Sequence, residues 1–376
     1  MRILMLQDHW WPEVGGGPNH VRDLSESIEQ AGHEVDVYTR ALRSGGELYD
    51  SREQLGEDID VVRRGPTTEF HNPIGRITTT LSIVPWSSLS KYDIIHTHTF
   101  LPAVSGKLAS LISGTPVVLT VHGTAIPSGV GLSNSGIRNK IEREIEKVLL
   151  LRLNYNYVIS VNQEHLDLLS PKHKNIEYIP NGVDIDRFQT DGKDSGYVLY
   201  LGRLAREKRV GDLISAFCEI ANEHEDLELV IVGDGPEREN LEQAARETPF
   251  AGRIQFKGRV PDKEIPEYYS RASVFVLPSI WEGHPLTLLE AWASKTPVVT
   301  TNVEGIREFV KHERNGYLVE PKSPDEIAEG IRFLIENQNL KEQIIEKAYS
   351  EVVQEFSWES AAQETIRVYR EIIDGY

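Results

Sequence analysis

The chain has 376 residues and is poor in the groups that cross-link or that bind soft metals. It holds one cysteine, Cys218, and two methionines. A lone cysteine excludes an internal disulfide framework and any cysteine-cluster metal centre. Long apolar runs are missing too: no stretch approaches the roughly 20 residues that a membrane span requires. The sequence passes from Met1 straight into a strand-like run, Ile3-Leu4-Met5-Leu6, so a cytoplasmic protein without a signal peptide is expected. Positive charge is also scarce, with 40 Lys and Arg against 58 Asp and Glu and a net charge of −18. Nonspecific nucleic-acid binding needs clustered cations over the phosphates, which sets that class aside. The first half is nearer neutrality than the second, where residues 186–376 hold 23 basic against 36 acidic groups. Ordinary surface variation is the preferred explanation. What is present, 39% hydrophobic and 26% charged residues, describes a folded chain rather than a disordered one. Its length suits two domains, each with its own core.

The most informative stretch is Glu282-Gly283-His284-Pro285-Leu286-Thr287-Leu288-Leu289-Glu290. Before it lies Ala272-Ser273-Val274-Phe275-Val276-Leu277, apolar without alternation, as expected of a parallel strand covered on both faces. Such strands aim their carboxyl ends at ligands. Pro285 suits the first helical position, where a missing N–H costs nothing, and Leu286 to Ala293 continues as a helix. That helix is apolar nearly all round and is expected to be buried. A buried Glu290 carboxylate then needs a partner, such as a ligand hydroxyl or a cation. Glu282 lies in the preceding loop beside free amides, roughly 10 Å away by helical rise. Two acceptors that far apart can hold two ends of one long ligand, although a helix cap and an internal ion pair are the bland alternatives.

The N-terminal half reads as alternating strands and helices. Met1 to Gln7 is a strand, Val14-Gly15-Gly16-Gly17-Pro18 a glycine loop, and Asn19 to Ala31 a helix, a geometry by which backbone approaches phosphate. It lacks the G-x-G-x-x-G spacing of a dinucleotide oxidoreductase. Strands follow at 33–39 and 59–63, then a mildly amphipathic segment from Ile74 to Leu89. Asp93 to His98 is a strand ending in His96 and His98, whose alternation turns both side chains the same way. No third ligand is evident nearby in sequence, so polar lining is preferred to a metal site. The strand Thr115–Val121 delivers His122-Gly123-Thr124 to a sheet edge, a better place for ligand contact than for packing. Gly136 to Asn154 is a long helix with apolar residues at 137, 141, 145, 148 and 149. Arg138, Lys140, Arg143 and Lys147 make it basic enough for a membrane surface, but Glu142, Glu144 and Glu146 dilute that charge. Docking onto the sheet is preferred, with peripheral membrane contact through this domain left open. Pro180-Asn181-Gly182-Val183-Asp184 forms a turn, and a domain boundary is placed after residue 188.

The second domain, 189–359, restarts the pattern. The strand Tyr197–Leu201 runs into Gly202-Arg203-Leu204-Ala205-Arg206-Glu207-Lys208-Arg209, which aims a guanidinium and an ammonium where a diphosphate would sit. Helix 211–223, strand 229–232, a helix through Arg246, strand 254–258 and the turn Arg259-Val260-Pro261 follow. Past the central motif, 297–301 is a strand, Glu304 to Glu308 opens a helix, 316–319 is a short strand, and the rest is helical with a break near Trp358.

Glu282-Gly283-His284-Pro285-Leu286-Thr287-Leu288-Leu289-Glu290-Ala291 resembles the E-x7-E signature of the GT4 family of retaining glycosyltransferases. Similarity covers nearly the full length. The Gly15-Gly16 loop, the D-x-x-H-x-H strand end at Asp93 to His98, the T-x-H-G turn at His122, the P-N-G-V-D turn at 180–184 and the G-R-L-x-x-x-K run at 202–208 all match. The resemblance implies an α/β protein of two Rossmann-like, doubly wound domains facing across a cleft, the GT-B architecture. The terminal helix, about 360–376, is implied to return to the first domain. It further implies transfer of a hexosyl unit from a nucleotide sugar to a hydroxyl acceptor (glycan, lipid-linked or small molecule) with retention. Arg203 and Lys208 would meet the donor phosphates, helped by Gly15, Gly16 and the amides of Gly283, His284 and Leu286, with Pro285, which has no N–H, also on the donor side. Glu282 would hold sugar hydroxyls and Glu290 the ribose, with Arg259 and Val260 beside the base. His122 would touch sugar or acceptor, and His96 and His98 would line the acceptor side. No metal and no cofactor are implied, and no D-x-D site occurs in a suitable loop. Glu304 stands where the family usually has glycine, which puts close backbone approach there in doubt. A nucleotide-sugar epimerase of similar architecture and a noncatalytic two-lobed sugar-binding protein are the rival readings. A glycosidase would need closer carboxylates and no phosphate clamp.

Overall fold

The computed structural model of the protein describes residues 1–8, 10, 16–44, 47–48, 51–69, 81–98, 100–124, 137–190, 192 and 195–375. The described residues fall into two compact units, one drawn from 1–128, 134–181 and 358–376 and the other from 182–357. The division falls after Asn181 and after Ser357, a few residues before the boundaries drawn from the sequence.

In the first unit the strands in chain order are β1 (Arg2–Leu6), β2 (Glu34–Ser44), β3 (Glu47–Leu48), β4 (Arg52–Leu55), β5 (Ile59–Glu69), β6 (Ile94–His98), β7 (Val117–Val121), β8 (Tyr157–Ser160) and β9 (Ile176–Tyr178). They make one sheet in the order β4-β5-β2-β1-β6-β7-β8-β9, with β3 on β2. β1 is parallel to both neighbours, Leu4 lying opposite Asp36 and Ile95. A strand paired on both sides and covered on both faces must be apolar throughout, and Ile3, Leu4, Met5 and Leu6 are fully buried. The first helix, Gly16–Gln30, buries His20, Val21, Leu24 and Ile28 on one face, a helical period. It packs on the terminal helix, Trp358–Asp374. That helix is tied to the sheet by Tyr369 and by Arg367, which pairs with Glu177.

Several expectations change here. The helix Phe100–Ser113 was not read from the sequence, and β2 and β5 run on to Ser44 and Glu69. Of the segment 74–89, residues 74–80 lie outside the described residues, and its end enters the short 3-10 helix Trp86–Lys91. The long helix spans Ile137–Leu151. It buries Glu146, Leu149 and Leu150 while Ile145 and Val148 are exposed, so its inner face is rotated from the one expected. The side chains of Arg138, Lys140 and Arg143 lie outside the described residues.

The second unit has β10 (Tyr197–Leu201), β11 (Glu228–Val232), β12 (Ile254–Gly258), β13 (Val274–Leu277), β14 (Val298–Thr301) and β15 (Tyr317–Val319), ordered β12-β11-β10-β13-β14-β15 and parallel throughout. The helix Leu286–Ala293 follows β13 as expected, but Pro285 is its N-cap, with ψ of 114°, and the first helical residue is Leu286. Residues 304–309 form turns instead of a helix. The cause is Gly305: its φ is +80°, opposite in sign to a right-handed helix. A Cβ there would also overlap the carbonyl oxygens of Glu282 and Gly283. Close backbone approach thus occurs at Gly305, beside the position where Glu304 had put it in doubt.

Candidate active site

In the second unit the chain builds outward from β10 through β11 to β12, then returns to β13 on the other side of β10. The carboxyl ends of β10 and β13 therefore flank a topological switch point, where open α/β sheets take ligands. The loop after β10 carries Arg203 and Lys208; the loop after β13 carries Glu282. The amide of Ile280 donates to the carbonyl of Glu207 at 2.9 Å, tying the two loops together. Lys208 Nζ donates to Glu282 Oε1 at 2.6 Å, and Ser279 Oγ donates to the same oxygen at 2.6 Å. Thr301 Oγ1 in turn donates to the Ser279 carbonyl. Glu282 is only 6% exposed. A carboxylate so buried is tolerated because it is both paired and hydrogen-bonded. An ammonium has three donors, and the bond to Glu282 uses one, which fixes its direction and leaves donors for an anion.

Arg203 is placed differently. Its side chain is more than half exposed and its guanidinium pairs with Glu207 at 2.9 Å, while Tyr200 Oη anchors the loop from below by donating to the Arg203 carbonyl at 2.9 Å. Burial, with the nearby Glu282 and Glu207 carboxylates, pushes the Tyr200 phenol well up, so it stays a donor. Glu290 is half-buried rather than enclosed. Its Oε2 accepts from Tyr269 Oη at 2.8 Å, so a tyrosine supplies the partner expected from a ligand or a cation. Burial and then Glu290 drive that phenol well up as well.

The other residues of the motif divide between packing and surface. Gly283 and Pro285 are buried, and Leu286 is half-buried. The His284 ring is buried with its centroid 4.7 Å from that of Phe309 and 5.6 Å from that of Phe356, so its side chain belongs to an aromatic cluster. Arg259 is exposed just past β12, and Val260 packs on the core.

The first unit has its own switch point, between β1 and β6, because β2 and β5 lie on one side of β1 and β6 to β9 on the other. Gly15 lies outside the described residues; Gly16 opens the first helix and is exposed. Gln7, just past β1, is fully buried, and neither end of its amide has a partner, an exception to the rule that buried polar groups are paired. His96 and His98 do point the same way, with ring centroids 4.2 Å apart. His96, however, does not line a surface. It is fully buried, with Nδ1 2.6 Å from Tyr369 Oη and Nε2 2.7 Å from Thr120 Oγ1, so both nitrogens hold the fold together.

His98 continues into a chain that fixes tautomers. Its Nε2 lies 3.4 Å from the Met5 sulfur, and its Nδ1 lies 3.2 Å from His122 Nε2. A thioether has no proton to give, so the proton of neutral His98 is on Nε2 and its Nδ1 accepts. The donor to it is then His122 Nε2–H, which leaves His122 Nδ1 as a proton acceptor. His122 is half-buried. His20, on the first helix, donates from Nδ1 to Asn181 Oδ1 at 2.8 Å; its Nε2 is buried without a partner. Burial lowers His20 to about 4 and, helped by His20, lowers His96 to about 3. Burial and the neighbouring imidazoles hold His98 and His122 well below the ordinary histidine value. His20 was not singled out in the sequence. Its signal was present, since it shares the apolar helix face of Leu24 and Ile28 four and eight residues on.

The chain is similar to known proteins over nearly its whole length. The glycosyl transferases group 1 family matches residues 183–351, and Glycosyltransferase Family 4 matches residues 14–187. An uncharacterised glycosyltransferase of Methanocaldococcus jannaschii is 28% identical over 98% of both chains. Among solved structures, sucrose-phosphate synthase from Thermosynechococcus elongatus superposes with a TM-score of 0.87 at 23% identity, covering all of both chains. Anabaena HepE, solved with UDP and glucose, superposes with a TM-score of 0.77 at 21% identity over 98% of each. The two family matches divide the two α/β units between them, one with Lys208 and Glu282 at its switch point and the other with Gln7 and a histidine cluster, and they place this chain in the group 1, GT4-type glycosyltransferase family with the GT-B fold.

Proposed function

We propose that the protein moves a hexosyl unit from a nucleoside diphosphate sugar to a hydroxyl acceptor with retention at the anomeric carbon, in the cytoplasm and without a bound metal. The observation that carries this reading is the Lys208–Glu282 pair at the β10/β13 switch point. As the sugar–phosphate bond breaks, negative charge grows on the leaving diphosphate. The remaining Lys208 donors and the Arg203 guanidinium offset it, and their worth is greatest in the transition state. Glu282, held by Lys208 and Ser279, accepts from sugar hydroxyls. Glu290, held by Tyr269, accepts from the ribose. His122 Nδ1 accepts a hydroxyl proton of sugar or acceptor. Retention rests on the E-x7-E resemblance, and UDP-sugars are the first donors to try because HepE was solved with UDP and glucose.

A peripheral membrane contact through the first unit fits its exposed side chains. Leu108, Leu111 and Ile112 on one helix and Ile145 and Val148 on its neighbour are all exposed and apolar. Co-sedimentation with anionic vesicles, lost in Leu111→Glu, is the expected behaviour; a protein that stays in the supernatant has no such contact. Among the described residues no helix is long and apolar enough to cross a membrane.

The direct test of the donor reading is thermal stabilisation by a panel of nucleotide sugars, since a ligand at 100 times its Kd stabilises by about 2.7 kcal/mol. One sugar nucleotide should raise the wild-type midpoint and leave Lys208→Ala nearly unmoved, with excess EDTA making no difference. Equal stabilisation of both proteins removes Lys208 from the donor site, and a requirement for added magnesium removes metal independence.

A further inference from the structure

His20, His98 and His122 come from the first helix, from the end of β6 and from the loop after β7. Each offers a ring nitrogen, and these nitrogens lie within 4.8 Å of one another. The ring centroids of His20 and His122 are 4.5 Å apart, those of His20 and His98 5.4 Å, and those of His98 and His122 5.5 Å. A tetrahedral zinc ion with Zn–N bonds of about 2.0–2.1 Å spaces its ligand nitrogens about 3.3–3.4 Å apart. His98 Nδ1 and His122 Nε2 are already at 3.2 Å. His20 Nε2 is the buried atom without a partner, and its ring is held by the Nδ1–H bond to Asn181, the usual support of a ligating histidine. His98 has a weaker support of the same kind in Met5.

We propose that His20, His98 and His122 bind one zinc-class divalent cation through neutral imidazoles, with the fourth position left to water. On entry the ion replaces the His98–His122 hydrogen bond. The Nε2 proton of His122 leaves and its Nδ1 takes one up, so three neutral ligands face the ion and no net proton is released. The nitrogens all lie within 4.8 Å of one another, so small ring rotations bring them to bonding separation. Imidazole donors select zinc, copper or nickel over magnesium, which prefers oxygen. The consequence rests on the proposed transfer reaction: an ion here converts His122 Nδ1 from acceptor to donor, so zinc inhibits transfer by a protein that otherwise needs no metal.

The test is calorimetric titration of chelator-treated full-length protein with zinc chloride, beside the absorption spectrum of the cobalt(II) form. One ion per chain and a tetrahedral cobalt spectrum are expected. His20→Gln and His122→Gln should each lower affinity at least tenfold, and His224→Gln, at the exposed Glu223–His224–Glu336 cluster, should leave it unchanged. His122 is half-buried, so its variant keeps the test usable if His20→Gln folds poorly. No zinc binding, or binding unaltered by either variant, overturns the site. Binding intact with turnover unaffected by zinc overturns the role given to His122 in transfer and leaves the ion site standing.

Discussion

The buried histidines make a quantitative statement about acid stability. Burial holds His20 at about 4 and His96 at about 3, against an ordinary value of 6.5 in the unfolded chain. Both are therefore neutral in the fold, and unfolding in mild acid takes up protons. For a group lowered on folding, the stabilisation is complete above the unfolded value and is lost as pH falls from 6.5 toward the folded values. Worked from those values, moving from pH 7 to pH 5 costs about 2 kcal/mol for each of the two residues. That is a large part of the ~5–15 kcal/mol by which domains are stable. Asp36, buried but held down by Tyr92, Lys91 and Arg2, loses its stabilising effect only as pH falls below its ordinary value of 3.8. The assay is urea unfolding followed by circular dichroism at pH 7 and pH 5. The wild type should lose several kcal/mol, and His96→Gln, whose amide can keep one of the bonds to Tyr369 and Thr120, should lose about 2 kcal/mol less. Equal stability at the two pH values, or the same loss in the variant, would refute the reasoning.

Two further predictions concern the second unit. Lys208→Ala and Arg203→Ala should each cut turnover by about two to four orders of magnitude, as the loss of a transition-state donor does. They should differ in stability: removing Lys208 leaves the buried Glu282 with Ser279 alone and should cost about 1–3 kcal/mol, whereas Arg203, exposed and paired with Glu207, should cost under about 1 kcal/mol by urea denaturation. Glu290→Gln should weaken binding of free nucleoside diphosphate, while Glu282→Gln should leave that affinity nearly unchanged and lower turnover with the whole donor. Equal calorimetric losses in the two variants would point to one shared structural network.

Legibility in the sequence followed range. The helix Leu286–Ala293 could be read to within one residue of its start because an apolar run and a proline specify it locally. The strands β1, β6, β7, β10 and β13 were legible because parallel strands covered on both faces are continuously apolar. Arg203, Lys208 and Glu282 were found through short motifs, but that Lys208 and Glu282 touch depends on β10 and β13 being neighbours, 74 positions apart in the chain. Tyr269 as the partner of Glu290 was hidden for the same reason. His96 looked like a ligand contact because its spacing from His98 was visible; its bond to Tyr369, 273 positions away, was not. The turn at 304–309 misled because its polar residues suit a helix start, whereas Gly305 has a positive φ and lies against the backbone of Glu282 and Gly283, more than twenty positions back in the chain.

The central claim is that the chain transfers a sugar from a nucleotide donor with retention, and proton NMR of the anomeric signal tests it most directly. The donor found by thermal stabilisation is incubated with wild-type protein and a hydroxyl acceptor, and the anomeric coupling of the first product is compared with that of the donor. An α-linked donor should give an α-linked product, formed without added metal and absent with Lys208→Ala. A β-linked product would contradict retention, and an altered sugar still attached to the nucleotide would show that the site does not transfer at all.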